Sequence, residues 1–304
     1  MIIGTIKQIW RHPVKSMSGE SLDQCTVARL GIPGDRGWAL RDETTNEITN
    51  GKKIPLLMQC AARYREEPED ERLPHVDIKL YDGTSIGSDE SGVNERLSQA
   101  LGKTVSLWPL QPASNKSHYR RRSVVSRLSH FKLVRDQLPR LLRLPNVSAQ
   151  VRETFSREPN EPLPDLSQLP PEILEFTSPL GTYFDAFPIQ VLTTASLKAM
   201  RRINHSAAWD VRRFRPNLLI ETEEGIEGLV EAGWGGRLLR LGVVELKLEI
   251  PTARCGMTTH AQDGLAKDPS ILRSIVKDAD QNLGIYATVV ATGQVTLGDA
   301  VELL

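Results

Sequence analysis

Cysteine is scarce in this chain: three in 304 residues, Cys25, Cys60 and Cys255, set far apart. That spacing supports neither a disulfide framework nor a Cys-rich zinc or iron–sulfur site. Long apolar runs are also missing, and none approaches the roughly 18 residues needed to cross a bilayer, so no membrane span is expected. Met1 to Trp10 reads as a strand and lacks the charged start and apolar centre of a secretory leader. Nor is there a surplus of either charge. The 38 basic and 38 acidic residues cancel, which argues against a protein dedicated to nucleic acid. Together these absences point to a cytoplasmic, reducing setting. Hydrophobic residues at 39% and charged residues at 25% are ordinary for a globular protein, and the length fits one large or two modest domains.

The first hundred or so residues are β-rich. Alternation in Gly4 to Trp10, Cys25 to Leu30, Trp38 to Arg41 and Asp77 to Tyr81 predicts short strands. Turn signals at Ser18-Gly19, Ile32-Pro33-Gly34-Asp35, Thr45-Asn46 and Tyr81-Asp82-Gly83 separate them, a pattern that suggests a barrel. Glu66 to Glu71 reads as a solvated acidic loop. The spacing of Val93, Leu97 and Leu101, closed by Gly102, predicts a short helix, and Val105 to Trp108 resumes a strand. Lys116 to Arg157 then holds eleven Lys/Arg against Asp136 and Glu153, with apolar residues at Val124, Leu128, Phe131, Leu138 and Leu141. This basic amphipathic stretch suits either an anion- or membrane-binding face or a helical insertion packed on the barrel with its arginines in water. Glu161 to Pro171 is a proline-punctuated connector.

Beyond Phe176 strands return, with a helix start at Thr193-Thr194-Ala195-Ser196. Further strands are expected at Asn217 to Glu221, Arg237 to Leu241, Val243 to Ile250, Tyr286 to Thr292 and Ala300 to Leu303. Turns fall at Gly293-Gln294 and Gly298-Asp299, and a short helix at Pro269 to Lys277. Cys255 comes after the long strand Val243 to Ile250, between Arg254 and Gly256-Met257-Thr258-Thr259. A thiolate at a strand end can be a nucleophile, a persulfide carrier or the ligand of a soft metal, and the adjacent cation favours ionisation. The same residue can equally be a small buried hydrophobe.

Five motifs occur in order: His12-Pro13-Val14-Lys15-Ser16, Gly34-Asp35-Arg36-Gly37-Trp38, Arg213-Phe214-Arg215-Pro216-Asn217, Ala253 to Thr259, and Gly293 to Asp299. Together they resemble the MOSC family, the domain shared with molybdenum cofactor sulfurase C-terminal regions. The first part resembles the MOSC N-terminal β-barrel domain found ahead of it in the mitochondrial amidoxime-reducing component. The resemblance implies an α+β fold, mainly β, with an N-terminal β-barrel domain over 1–110 and a MOSC β-barrel over 173–304; it is weakest over 111–172, read from the residues as a basic helical insertion and connector. It implies a molybdenum–pterin cofactor (molybdopterin) whose metal takes its one protein ligand from Cys255. It also implies cofactor contacts at Lys15, Ser16, Arg36, Thr193, Thr194, Ser196, Arg215, Asn217, Thr252, Ala253 and Arg254. His12 departs from the Tyr common in relatives.

The chemistry is compatible. A phosphorylated pterin needs fixed cations and N–H donors, and molybdenum held by dithiolene sulfur accepts one more soft thiolate. The expected activity is reduction of small N-hydroxylated substrates: amidoximes, hydroxylamines and N-hydroxylated bases. With no clustered cysteines in the sequence, electrons are expected from a separate iron–sulfur, flavin or haem protein, which the basic stretch could attract by charge. The alternative is a sulfur carrier with a persulfide on Cys255; the absence of a desulfurase domain counts against it. A third reading is a non-catalytic barrel that binds a phosphorylated ligand.

Overall fold

The computed structural model describes residues 1–69, 72–122, 145–166 and 172–304. Its largest unit is an eight-stranded sheet that closes on itself. From Ile2–Arg11 the ladder passes to Ala300–Leu303, Leu238–Leu241, Val244–Ala253, Asn282–Ala291, Ile189–Thr193 and Leu218–Thr222, which pairs back with Ile2–Arg11. Glu20–Leu22 adds to the outer edge of Ile2–Arg11. The first strand of the chain therefore closes a barrel built otherwise from the last third.

Irregular pairing of the first strand suits this closure. Ile3, Ile6 and Ile9, three residues apart, are all buried with Val191, Leu218, Leu246, Ile285 and Val301, because the ladder shifts register between Ile2 and Gly4 and between Ile6 and Gln8, while Lys7 faces water and pairs with Glu221. Gly4 is required for the contact. A Cβ there would lie 1.9 Å from the Glu221 carbonyl oxygen, so no other residue lets the two backbones approach.

Residues 12–110 form two three-stranded sheets. One pairs Trp38–Asp42 with Glu47–Ile48 and Val105–Pro109; the other pairs Ala61–Tyr64, Val76–Lys79 and Ser85–Gly87. They share a second core that includes Val14, Leu40, Leu57, Ile78 and Leu97. A third core lies outside the barrel, where the helices Thr194–Ile203 and Pro269–Asp278 bury Leu197, Met200, Ile271 and Ile275. Thr193 caps the first of these helices by accepting from the Ser196 N–H at 3.1 Å. Among the described residues, no helix is long and apolar enough to cross a membrane.

Two local expectations change. Gly293-Gln294 does not turn the chain but opens the strand Gly293–Thr296, which pairs with Gln24–Val27. Burial of Val295 in the barrel core outweighs the turn preference of Gly. The strand predicted to end at Ile250 runs on to Ala253, so Thr252 and Ala253 are strand residues. Glu66, Glu67 and Glu69 of the acidic loop are exposed as expected, and Glu67 also accepts from the buried Arg11 guanidinium at 2.5 Å. Val124, Leu128, Phe131, Leu138 and Leu141 lie outside the described residues. The helix Pro145–Phe155 is described, and Ser156 and Arg157 just beyond it pack against the turn that carries Cys255.

Candidate functional site

Cys255 stands where the strand Val244–Ala253 gives way to a single 3-10 turn, Gly256–Thr259. Its carbonyl accepts from Thr258 through both N–H, at 3.2 Å, and Oγ1, at 3.1 Å. This fixes the backbone and leaves a half-buried thiol. The Pro-Val-Lys-Ser motif lies across the same space. Lys15 is buried, and its Nζ donates to the Tyr183 carbonyl (2.7 Å), Asp185 (2.9 Å) and Ser178 Oγ (3.3 Å). Ser16 has φ 71°, and its Oγ accepts from the Gly51 N–H at 2.9 Å. Arg36 donates to Asp35, to Asn217 Oδ1 (3.4 Å) and to the Arg215 carbonyl (3.3 Å); Arg215 donates to the Met17 carbonyl.

Electrostatics couple several of these groups. The charges of Lys15, Lys52 and Arg36 act on Asp185, and those of Asp185, Arg254, Cys255 and Arg36 act on Tyr286. The Asp185 side chain is 71% exposed because it projects into open space and not into packed protein. The surrounding walls would raise its pKa, but the Lys15 ammonium, then Lys52 and Arg36, hold it well below the usual carboxylate range. Burial lowers Lys15, and Asp185 opposes that shift. Burial and then the neighbouring Arg36 bring Arg215 down to about 9. Burial, and then Asp185, push the Tyr286 hydroxyl up, so it stays protonated at neutral pH. Cations from distant segments thus act on one carboxylate, Asp185.

The remaining expected residues are placed differently. Asn217 is buried and its amide is fully used: Oδ1 accepts from the Gln190 N–H at 3.0 Å, and Nδ2 donates to Asp35 at 2.9 Å and to the Trp10 carbonyl at 3.3 Å. It braces Arg36 by sharing Asp35. Thr193 and Ser196 both donate to the buried Glu231, at 2.7 and 2.5 Å, and Thr194 pairs with Thr222 at 3.2 Å. These hydroxyls form a buried cluster of their own. Arg254 turns inward. It donates to the carbonyls of Leu283 (2.7 Å) and Phe214 (3.0 Å), with the Gln190 amide oxygen against its far edge, and burial lowers its pKa to about 10. Thr252 is buried, and its hydroxyl has no hydrogen-bond partner among the described residues.

Reading the sequence did not find Lys52, Arg157, Asp185 or Tyr286. Asp185 carried a signal, a lone acid within Tyr183-Phe184-Asp185-Ala186-Phe187. Tyr286 is brought in by the ladder that sets it opposite Gln190. Among the described residues no group of three or more His, Cys, Asp or Glu side chains could hold a metal. A metal bound at Cys255 must therefore bring most of its ligands, and a dithiolene-bound metal with an anionic tail fits that donor set.

Comparison with known proteins agrees with the geometry. Residues 3–104 match the MOSC N-terminal beta barrel domain and residues 181–302 the MOSC domain. The chain is similar to mitochondrial amidoxime reducing component 2 of Bos taurus, at 25% identity over 98% of this chain and 83% of the relative. It is similar to mitochondrial amidoxime-reducing component 1 of Mus musculus, at 26% identity over 99% of this chain and 83% of the relative. The solved YUAD protein from Bacillus subtilis matches at 11% identity over 99% of this chain and 94% of that one, with a TM-score of 0.41. Both curated relatives are mitochondrial by name, which corrects the expectation of a cytoplasmic protein. Few, unpaired cysteines argue against an oxidising compartment and do not separate one reducing compartment from another.

Proposed function

This chain belongs to the MOSC family, with the MOSC N-terminal β-barrel domain ahead of the MOSC domain, and on that premise we propose that it is a molybdenum cofactor-dependent oxidoreductase. Its substrates in this reading are small N-hydroxylated compounds such as amidoximes, hydroxylamines or N-hydroxylated bases, and its electrons come from a separate protein. The observation that carries the reading is a cluster of coupled charges: Lys15, Lys52 and Arg36 act on Asp185, Arg36 acts on Arg215, and Tyr286 feels both this cluster and the half-buried Cys255.

Each residue has a task. Lys15, Arg36 and Arg215 would hold the phosphate of the pterin, their charges fixed by the acceptors already described. Cys255 would give the metal its protein ligand, and Thr252 has a hydroxyl free for a partner. When bound, the cofactor supplies the redox chemistry that removes oxygen from nitrogen. The protein's own part is orientation and proton supply. Tyr286, protonated at neutral pH and electrostatically coupled to Cys255, would supply an O–H, and ionised Asp185 limits the net positive charge.

The test is metal and pterin analysis of purified protein, with reductase assays on an amidoxime in the presence of a reducing system. Stoichiometric molybdenum and pterin, with activity lost in Cys255→Ala, is the expected result. Undiminished turnover in that variant rejects the ligand assignment. Metal-free protein carrying a cyanolysable persulfide would favour a sulfur carrier, and neither group would leave an anion-binding barrel.

A further inference from the structure

The helix Pro145–Phe155 ends in a short strap that crosses the cysteine turn and touches both halves of the molecule. On one side the Lys52 ammonium lies 5.2 Å from the Phe155 ring centroid. Ser156, exposed and left-handed at φ 54°, rests on Gly256: a Cβ on that glycine would lie 2.3 Å from Ser156 Oγ and 3.0 Å from Ser156 Cβ. Arg157 is buried, with 6% of its surface exposed. Its Nη2 donates to the carbonyl of Arg254 at 2.9 Å, its Nε to Gln281 Oε1 at 3.0 Å, and its Nη1 to the Phe155 carbonyl at 2.8 Å. The Gln281 carbonyl in turn accepts from the Arg254 N–H at 2.9 Å. Arg273 anchors the far end, donating to the Ser156 carbonyl and to Glu161, each at 2.5 Å.

We propose that Arg157 is a positioning residue for Cys255, and that residues 155–161 form a strap controlling access to its sulfur. Arg254, the residue that leads into Cys255, is held from two sides, its N–H by the Gln281 carbonyl and its own carbonyl by Arg157, so the sulfur's place depends on a segment outside the barrel. A planar guanidinium fork serves three acceptors at fixed angles. A lysine ammonium cannot reproduce that geometry, although it keeps the charge. Glycine at 256 is explained by the same contact, since any side chain there would lift the strap. The inference deepens the reading of Cys255 as the working residue and does not require a bound metal.

The test is the alkylation rate of Cys255 by iodoacetamide at fixed neutral pH in the full chain without cofactor. It is tracked by mass spectrometry on the Cys255 peptide, so that Cys25 and Cys60 do not interfere. Arg157→Lys is expected to react about tenfold faster or more than wild type, because a buried charged hydrogen-bond set is broken. Gly256→Ala should accelerate alkylation similarly. Adding Ser156→Gly to Gly256→Ala should return the rate toward wild type, since glycine removes the clashing atoms and is unstrained at φ 54°. Arg273→Ala, distant from the thiol, should give a smaller increase. A folded Arg157→Lys protein with the wild-type rate overturns the proposal, as does a Gly256→Ala rate that Ser156→Gly leaves unchanged. Retained turnover in Cys255→Ala would reject the molybdenum reading and leave these rates untouched, so the two failures are distinguishable.

Discussion

Arg36 donates through Nη2 to the carbonyl of Arg215 at 3.3 Å, and both residues sit in the left-handed backbone region, at φ 50° and 52°. Ser16 is the third such residue around the cavity, at φ 71°. Each belongs to a different motif, and a non-glycine residue in this region costs roughly 1–2 kcal/mol. The conformations persist because the side chains are used. Arg36 is held by Asp35 and Asn217, Arg215 by the Met17 carbonyl, and Ser16 by Gly51. Part of the backbone strain of the described residues thereby falls on the segments that carry these cations.

Ser16 offers the clearest test of that balance. Ser16→Ala keeps the left-handed strain and leaves the buried Gly51 N–H without its acceptor, so it should destabilise the fold by about 1–3 kcal/mol. Ser16→Gly orphans the same N–H but relieves the strain, and its loss should be clearly smaller. Urea unfolding of both variants decides the matter. Equal losses would mean that the backbone at Ser16 is not strained.

Asp185 is the acidic counterweight to Lys15, Lys52 and Arg36. Asp185→Asn removes a negative charge from a cavity suited to anions. Phosphate should bind severalfold more tightly, and the gain should shrink as salt rises over the range where the Debye length falls from about 10 Å to 3 Å. Titration calorimetry with inorganic phosphate at two ionic strengths measures both effects. Weaker binding in Asp185→Asn would show that the carboxylate orients the cations more than it opposes the anion.

The legible part of this site was residue type in order along the chain. Cys255 at a strand end is a feature the chain's own pattern can carry, and the cations at 15, 36 and 215 came from the order of motifs that resembles the family. Side-chain direction was not legible. Arg254 is adjacent to Cys255 in sequence, yet its guanidinium closes on carbonyls of Phe214 and Leu283. Thr193 and Ser196 form the expected helix start, but their hydroxyls serve Glu231. Lys52, Arg157, Asp185 and Tyr286 come from four separate segments that only the closed ladder and the strap bring together. The barrel was legible in the apolar strand Ile2–Arg11 and the short strands that follow it. Its closure by the first strand was not, because alternation does not name a partner.

His12, the departure from the family pattern, sets the acid limit of stability. It is buried, and neither ring nitrogen has a hydrogen bond of good geometry among the described residues. Burial, and then the charges of Arg215 and Arg36, hold its pKa well below the usual 6.5, and the Pro216 carbonyl opposes this only in part. The folded protein therefore keeps His12 neutral while the unfolded chain takes up a proton below about pH 6.5. Stability from this group is complete above that pH. It falls as the pH drops below it, by up to about 1.4 kcal/mol per pH unit until the folded pKa is reached. His12→Phe has no proton to gain and loses no satisfied hydrogen bond, so it should match or exceed wild type near pH 5.5 and differ little at about pH 8. Melting temperatures of both proteins across that range test the assignment. A wild-type slope that survives His12→Phe would move the acid sensitivity to another buried group.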